Sequence, residues 1–107
     1  MIKKELSNIE KQIEAIKQEI LEIGEMRPGS LSLQYKNPKE KTVSFYQLSY
    51  TYKMKSKTEY IRPQFVYEIK RQIENYKKFK KLTEKWIDLA IEFSKNKMDI
   101  VKRKELK

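Results

Sequence analysis

Two clusters of basic side chains hold most of the chemistry this chain can offer. Lys36, Lys39, Lys41, Lys53, Lys55, Lys57 and Arg62 fall within one short stretch, and Lys70, Arg71, Lys77, Lys78, Lys80, Lys81 and Lys85 follow soon after. On a helix, Lys70, Lys77, Lys81 and Lys85 step by seven, four and four, so they line one stripe. A stripe of this kind neutralises phosphates, and the release of counterions makes the binding salt-dependent. Tyrosine accompanies the lysine, with six of seven tyrosines between residues 35 and 67. Tyr50 and Tyr52, set among lysines, suit stacking on unpaired bases. The candidate nucleic-acid interface is therefore both tyrosines and all of the named basic residues except Lys80. The competing reading is a solvated lysine-rich surface over a tyrosine-packed sheet, since tyrosine also favours strands for packing alone.

Other chemistry is thinly represented. The chain has no Cys and no His, which removes zinc knuckles, disulfides, a histidine base and a thiol nucleophile. Glu84, Asp88 and Glu92 recur every four residues and suit a hard cation, but such a stripe more often pairs with lysines. A tyrosine or serine nucleophile acting on phosphate needs several arginines and a histidine around it. Only Arg27, Arg62, Arg71 and Arg103 are present. No catalytic residue, metal or cofactor is expected, and the protein is expected not to be an enzyme.

The charge is unevenly spread. Of the net +10 over 107 residues, residues 1–25 contribute −2, residues 26–63 contribute +6 and residues 64–107 contribute +6. An acidic arm on a +12 body points to a polyanionic partner. The length suits a single domain, 1–107, with a modest core. No apolar run approaches the ~20 residues of a membrane span, and no leader pattern precedes the first charged helix. A soluble cytoplasmic protein without membrane contact is the expectation.

The elements that must carry these residues are legible in the hydrophobic spacing. Ile2, Leu6, Ile9, Ile13, Ile16, Ile20 and Ile23 alternate steps of four and three, which predicts a coiled-coil helix over 1–25. Gly24 stands where a left-handed cap is wanted, and Pro28 follows. Residues 30–62 read as a three-stranded β-meander. Leu31, Leu33 and Tyr35 alternate with Ser30, Ser32 and Gln34, and Tyr46, Leu48, Tyr50 and Tyr52 alternate with Phe45, Gln47, Ser49 and Thr51. Lys53-Met54-Lys55 makes a turn without the usual Asn-Gly, and the strand from Ser56 ends at Pro63. A long helix over 64–98 carries Val66, Ile69, Ile73, Tyr76, Phe79, Leu82, Trp86, Leu89 and Phe93 on its apolar seam. Ile87, Ala90 and Ile91 widen that seam, which calls for further contact, including with a second copy of the protein. A basic tail, 99–107, is expected to fray. The fold class is α+β: helix, antiparallel meander, helix, with the two helices forming an antiparallel coiled-coil hairpin. One sheet face should pack on the start of the second helix near Phe65, Val66 and Ile69.

Several blocks carry a family resemblance. They are Pro28-Gly29-Ser30-Leu31-Ser32 with Gln34-Tyr35, Phe45-Tyr46-Gln47-Leu48-Ser49-Tyr50-Thr51, Lys55-Ser56-Lys57-Thr58-Glu59, and Gln72 with Asn75-Tyr76-Lys77. Together, over residues 26–93, they resemble a widespread family of small uncharacterised bacterial and archaeal proteins, some encoded near mobile elements. Many of its members have closely spaced cysteines where this chain has Lys36 to Lys41. The resemblance therefore implies no metal site here. The order of sheet then helix is also similar to small sheet domains by which phage integrases grip DNA, a likeness of fold alone.

The functional expectation is a non-enzymatic nucleic-acid-binding protein of a phage or mobile element, gripping the phosphate backbone of DNA or RNA. The alternative is a small adaptor or phage-encoded inhibitor that docks on a host nucleic-acid-processing enzyme such as a defence nuclease. A purely structural coiled-coil oligomer, including a homodimer through the helical seam, is the third.

Overall fold

The computed structural model describes residues 2–37, 39 and 44–105. The element order is α1 (Ile2–Leu21), β1 (Ser30–Tyr35), β2 (Ser44–Tyr52), β3 (Lys55–Ile61), a 3-10 turn (Pro63–Phe65) and α2 (Val66–Glu105). The fold is thus α+β, with an N-terminal helix, a three-stranded antiparallel sheet ordered β1-β2-β3 and a long C-terminal helix. The chain divides into two compact units. One holds residues 1–23 with 79–107, and the other holds residues 24–78.

In the helical unit, α1 closes earlier than its spacing predicts. The last turn tightens through Glu22 N–H to Glu19 O and Ile23 N–H to Ile20 O, at 3.2 and 3.1 Å. Gly24 is therefore not the left-handed cap that was expected, and the positive-φ glycine is Gly29 instead. Ile9 and Ile16, seven residues apart on the seam, are buried, and Leu6, Ile13, Ile20 and Ile23 are half-buried. Across from them, Leu82 is buried, and Phe79, Trp86, Leu89, Phe93, Asn96 and Ile100 continue the same line half-buried. Lys17 Nζ lies 5.4 Å from the centre of the Trp86 ring, which places α1 against this part of α2. Trp86 serves packing here. The tail expected to fray from Asp99 is helical through Glu105. No Pro or Gly stands in the way, and Lys102, Arg103 and Lys104 in the last turn oppose the negative end of the helix dipole.

In the sheet unit, register assembles the faces. Leu31 pairs with Leu48 and Leu33 with Tyr46, and β2 in turn sets Tyr46 opposite Ile61 and Leu48 opposite Glu59. Leu48 is fully buried, with Val66 and Ile73 of α2 as the unit's other buried apolar residues. Ile69 is half-buried and Phe65 is exposed, so the core is centred a turn further along the helix than expected. Gly29 has φ +151°, and a Cβ there would meet Leu48 Cδ1 at 2.5 Å. Glycine is required at that point on both counts. The segment leading into β1 is tied to α2 by Arg27 N–H to Gln72 O (3.2 Å), Asn75 Nδ2 to Glu25 O (2.9 Å) and Gln72 Nε2 to Glu25 Oε2 (3.1 Å).

Candidate nucleic-acid interface

The basic residues concentrate in the sheet unit. Residues 24–78 hold twelve basic and five acidic side chains, a net +7, against +3 for the remainder. The sheet then distributes them by the two-residue period of its strands. On the face with Leu48 lie Tyr46, Tyr50 and Tyr52, and on the neighbouring strand Lys55, Lys57 and Glu59. Tyr52 opposes Lys55 and Tyr50 opposes Lys57, at the end of the sheet nearest the β2–β3 turn. The other face carries Ser30, Ser32 and Gln34, then Gln47, Ser49 and Thr51, then Ser56 and Thr58. Phe45 and Tyr60 complete it, in edge-to-face contact at 5.2 Å. That second face has no ionisable group except the Tyr60 phenol. Its side chains bond one another: Gln34 Nε2 donates to Ser32 Oγ at 3.1 Å, and Thr51 Oγ1 and Ser56 Oγ are 3.0 Å apart.

The turn between β2 and β3 is an exposed cationic point. Lys53 and Met54 have φ of 52° and 66°, a two-residue reversal in left-handed backbone of the kind a hairpin's twist demands. Neither residue suits that conformation, which costs non-glycine side chains about 1–2 kcal/mol each. Met54 is 99% exposed, and Lys53 Nζ sits 5.4 Å from the Tyr52 ring centre. At the opposite end of β2, Lys36 and Lys39 lie exposed in the loop after β1. Nine residues at about 3.3 Å separate the two ends by roughly 30 Å. Lys41 falls outside the described residues.

Tyr50 is committed to a polar cluster. Its hydroxyl donates to Glu59 Oε1 at 3.0 Å, and Arg27 reaches the same carboxylate with Nη1 to Oε2 at 3.4 Å and Nη2 to Oε1 at 3.3 Å. The Arg27 guanidinium also lies 5.0 Å from the Tyr50 ring centre, covering one side of it. The Arg27 and Tyr50 hydrogen bonds hold the Glu59 carboxyl below its ordinary range. Accepting from Tyr50, the carboxylate raises the phenol in return. This cluster fastens the segment before β1 to the middle of the sheet, and it leaves one tyrosine ring side for a ligand at most. Tyr52 remains exposed.

On α2, Lys70, Arg71, Lys77 and Lys78 project from the sheet unit, while Lys81 and Lys85 belong to the helical unit, all of them exposed. Lys77 is paired with Glu74 at 3.4 Å, and both are well exposed. Lys70 and Lys77 line a shallow cleft of about 420 Å³ with Gly29, Ser30, Leu31 and Ile73. Arg71 instead lines a second cleft with Glu25, Glu68, Gln72 and Asn75. Arg62 is exposed just before the 3-10 turn.

Three features of this surface escape sequence reasoning. Arg27 anchors the cluster from a position far from its partners in the chain. Tyr60 and Tyr67 are 78% and 75% exposed, more than either tyrosine chosen from the spacing. The uncharged face has its signal in the Ser-x-Ser-x-Gln alternation of β1, which reads as solvent-facing filler until β2 and β3 extend it. Among the described residues no group of acidic side chains is placed to hold a metal ion, and no helix is long and apolar enough to cross a membrane. Comparison with protein-family models, curated proteins and solved structures gives no match.

Proposed function

We propose that the protein is a non-enzymatic nucleic-acid binder whose contact surface is the sheet unit. The observation that carries this reading is the set of uncompensated cations. Lys36, Lys39, Lys55, Arg62, Lys70, Arg71 and Lys78 are exposed and make no ion pair among the described residues. A surface kept only for solubility gains most from interspersed signs, and self-repulsion among these lysines is a cost that a polyanion relieves. Lys36 and Lys39 after β1 and Lys53 in the β2–β3 turn offer phosphate contacts at opposite ends of the sheet, and Lys55 and Lys57 add to them on the Leu48 face. Tyr52, Tyr60 and Tyr67 offer exposed rings for stacking on unpaired bases. A phage or mobile-element origin accompanies this reading, on the resemblance of residues 26–93 set out above.

Binding to single- and double-stranded DNA and RNA at about 50 and 200 mM salt tests it. Some six phosphate contacts cost about a thousandfold in affinity between those conditions. Reversing Lys55, Lys57 and Lys78 to Glu should lower the logarithmic salt slope by about three and leave helicity unchanged. A chain that fails to bind any of the four at the lower salt is not a nucleic-acid binder. In that case the exposed Phe65, Tyr67 and Tyr60 favour docking on a protein, and one stoichiometric host enzyme should survive nuclease treatment during co-purification.

A further inference from the structure

The part of α2 in the helical unit has a second apolar line. Its first line, Phe79 to Ile100, is the half-buried one that faces α1. Ile87, Ile91, Ser94, Met98 and Val101 make another, at steps of four, three, four and three. This is the a/d spacing of a coiled coil, and it lies more than 100° around the helix from the first. Its four apolar members are 50–59% exposed. One helix with two heptad lines needs two partners, and α1 supplies only one of them.

From this second line we infer that the protein self-associates as an antiparallel dimer across residues 84–102 of α2, with Ser94 on the two-fold axis. The spacing is nearly symmetric about Ser94. Ile87 and Val101 lie seven residues to either side, and Ile91 and Met98 lie three and four. Antiparallel pairing thus sets Ile87 against Val101 and Ile91 against Met98, twice over, with the small serine at the centre. The flanking charges choose the direction. On one flank, Glu84 and Asp88 stand near the start of the stripe and Lys95 and Lys102 near its end, all exposed. Reversing the second helix brings Glu84 and Asp88 beside the Lys102 of the second copy at both ends of the interface, against a single Lys95–Lys95 approach next to the axis. In a parallel pair, Lys95 and Lys102 would instead face Lys97 and Lys104 from the other flank, lysine against lysine. Self-complementarity of this kind is what an isologous interface requires. The stripe spans only about 21 Å of helix, so the dimer is a weak, concentration-dependent one.

The chain has no cysteine of its own, so single cysteines report the geometry directly. Packed helices about 8–10 Å apart bring Cα atoms on the two-fold axis within disulfide range. Ser94→Cys should cross-link to itself under mild oxidation, while Glu92→Cys, pointing away from the stripe, should not. Mixed Ile87→Cys and Val101→Cys chains should cross-link with each other more readily than Ile87→Cys with itself. Lys102→Glu should weaken self-association by about tenfold in sedimentation equilibrium, and Glu84→Lys with Asp88→Lys in the same chain should restore it. A chain that stays monomeric up to about 1 mM overturns the inference. So does an Ile87→Cys self-link that outcompetes the mixed one, which would mean a parallel pair. Neither result bears on nucleic-acid binding, because the stripe shares no residue with the sheet unit.

Discussion

The two faces of the sheet share three strands and one register, yet they differ in nearly every other respect. One face buries Leu48, stacks Gly29 on it, and gathers Arg27, Tyr50 and Glu59 into a cluster. Its free end carries Lys55 and Lys57. The other face is built from serine, threonine and glutamine with one aromatic pair. The difference teaches that the lysines of this chain are not scattered over whatever surface remains. In a sequence that is 37% charged, the strand positions facing away from the core carry no charged residue at all. The charge collects at the ends of the sheet and on α2, where it can frame a ligand without being covered by the core.

The comparison breaks most readily at Leu48. Truncation of this fully buried side chain to Ala should cost about 2–5 kcal/mol in denaturant unfolding. Ser49→Ala, one residue along on the other face, should stay within about 0.5 kcal/mol. Equal effects would mean that the Leu48 face is no more buried than the opposite one. Gly29→Ala comes next, at about 2–4 kcal/mol, since it combines left-handed backbone with a collision against Leu48. Circular dichroism should show α1 and α2 little changed while the tyrosine environment shifts.

The turn belongs to neither face, and there the expected effect reverses sign. Replacing Lys53-Met54 with Asn-Gly should stabilise the hairpin by about 1–2 kcal/mol. The same variant should bind nucleic acid more weakly if the tip is in contact. Gain of stability together with loss of affinity would show that the strained pair is kept for its side chains.

The smallest effect is electrostatic. Glu59 has a lowered pKa in the folded chain, so its contribution is present above the unfolded value near 4.5 and is lost as pH falls through the folded value. Tyr50 has a raised pKa, so its contribution is present below the ordinary value of 10.0 and is lost as pH rises through the folded one. Glu59→Gln should flatten the acid limb of a stability-pH profile and soften the alkaline one. Both groups face solvent, so the slopes should be shallow and should shrink further in salt.

Much of this was legible beforehand. The heptad spacing of α1, the alternation in β1 and β2 and the Pro-free run after Pro63 fix the α+β order, because each is a local period that tertiary structure has no reason to override. Helix ends were less legible. The Gly24 cap was inferred from residue type, whereas the helix had already closed with 3-10 bonds at Glu22 and Ile23. The basic character of the candidate surface follows from residue type, whereas its division into two faces does not. Packing preference alone assigns Tyr46 and Leu48 to the core, and Leu48 is buried, but the uncharged opposite face emerges only when β1 and β3 are aligned on β2. Arg27 was missed for a similar reason. Its partners are 23 and 32 residues away, and only the register of β2 with β3 brings Tyr50 and Glu59 to one place.

A sheet ordered β1-β2-β3 has two edge strands, and their sequences defend them unequally. Lys55, Lys57 and Glu59 along β3 discourage a foreign strand from adding there. β1 is Ser-Leu-Ser-Leu-Gln-Tyr, six uncharged residues without proline, the composition from which stacked fibrils grow. Molecules carrying +10 each repel one another, which opposes such pairing, and that repulsion fades within about 10 Å at 0.1 M salt. High salt should turn a clear solution into one that seeds through β1, and a single lysine at Ser32 should be enough to prevent it.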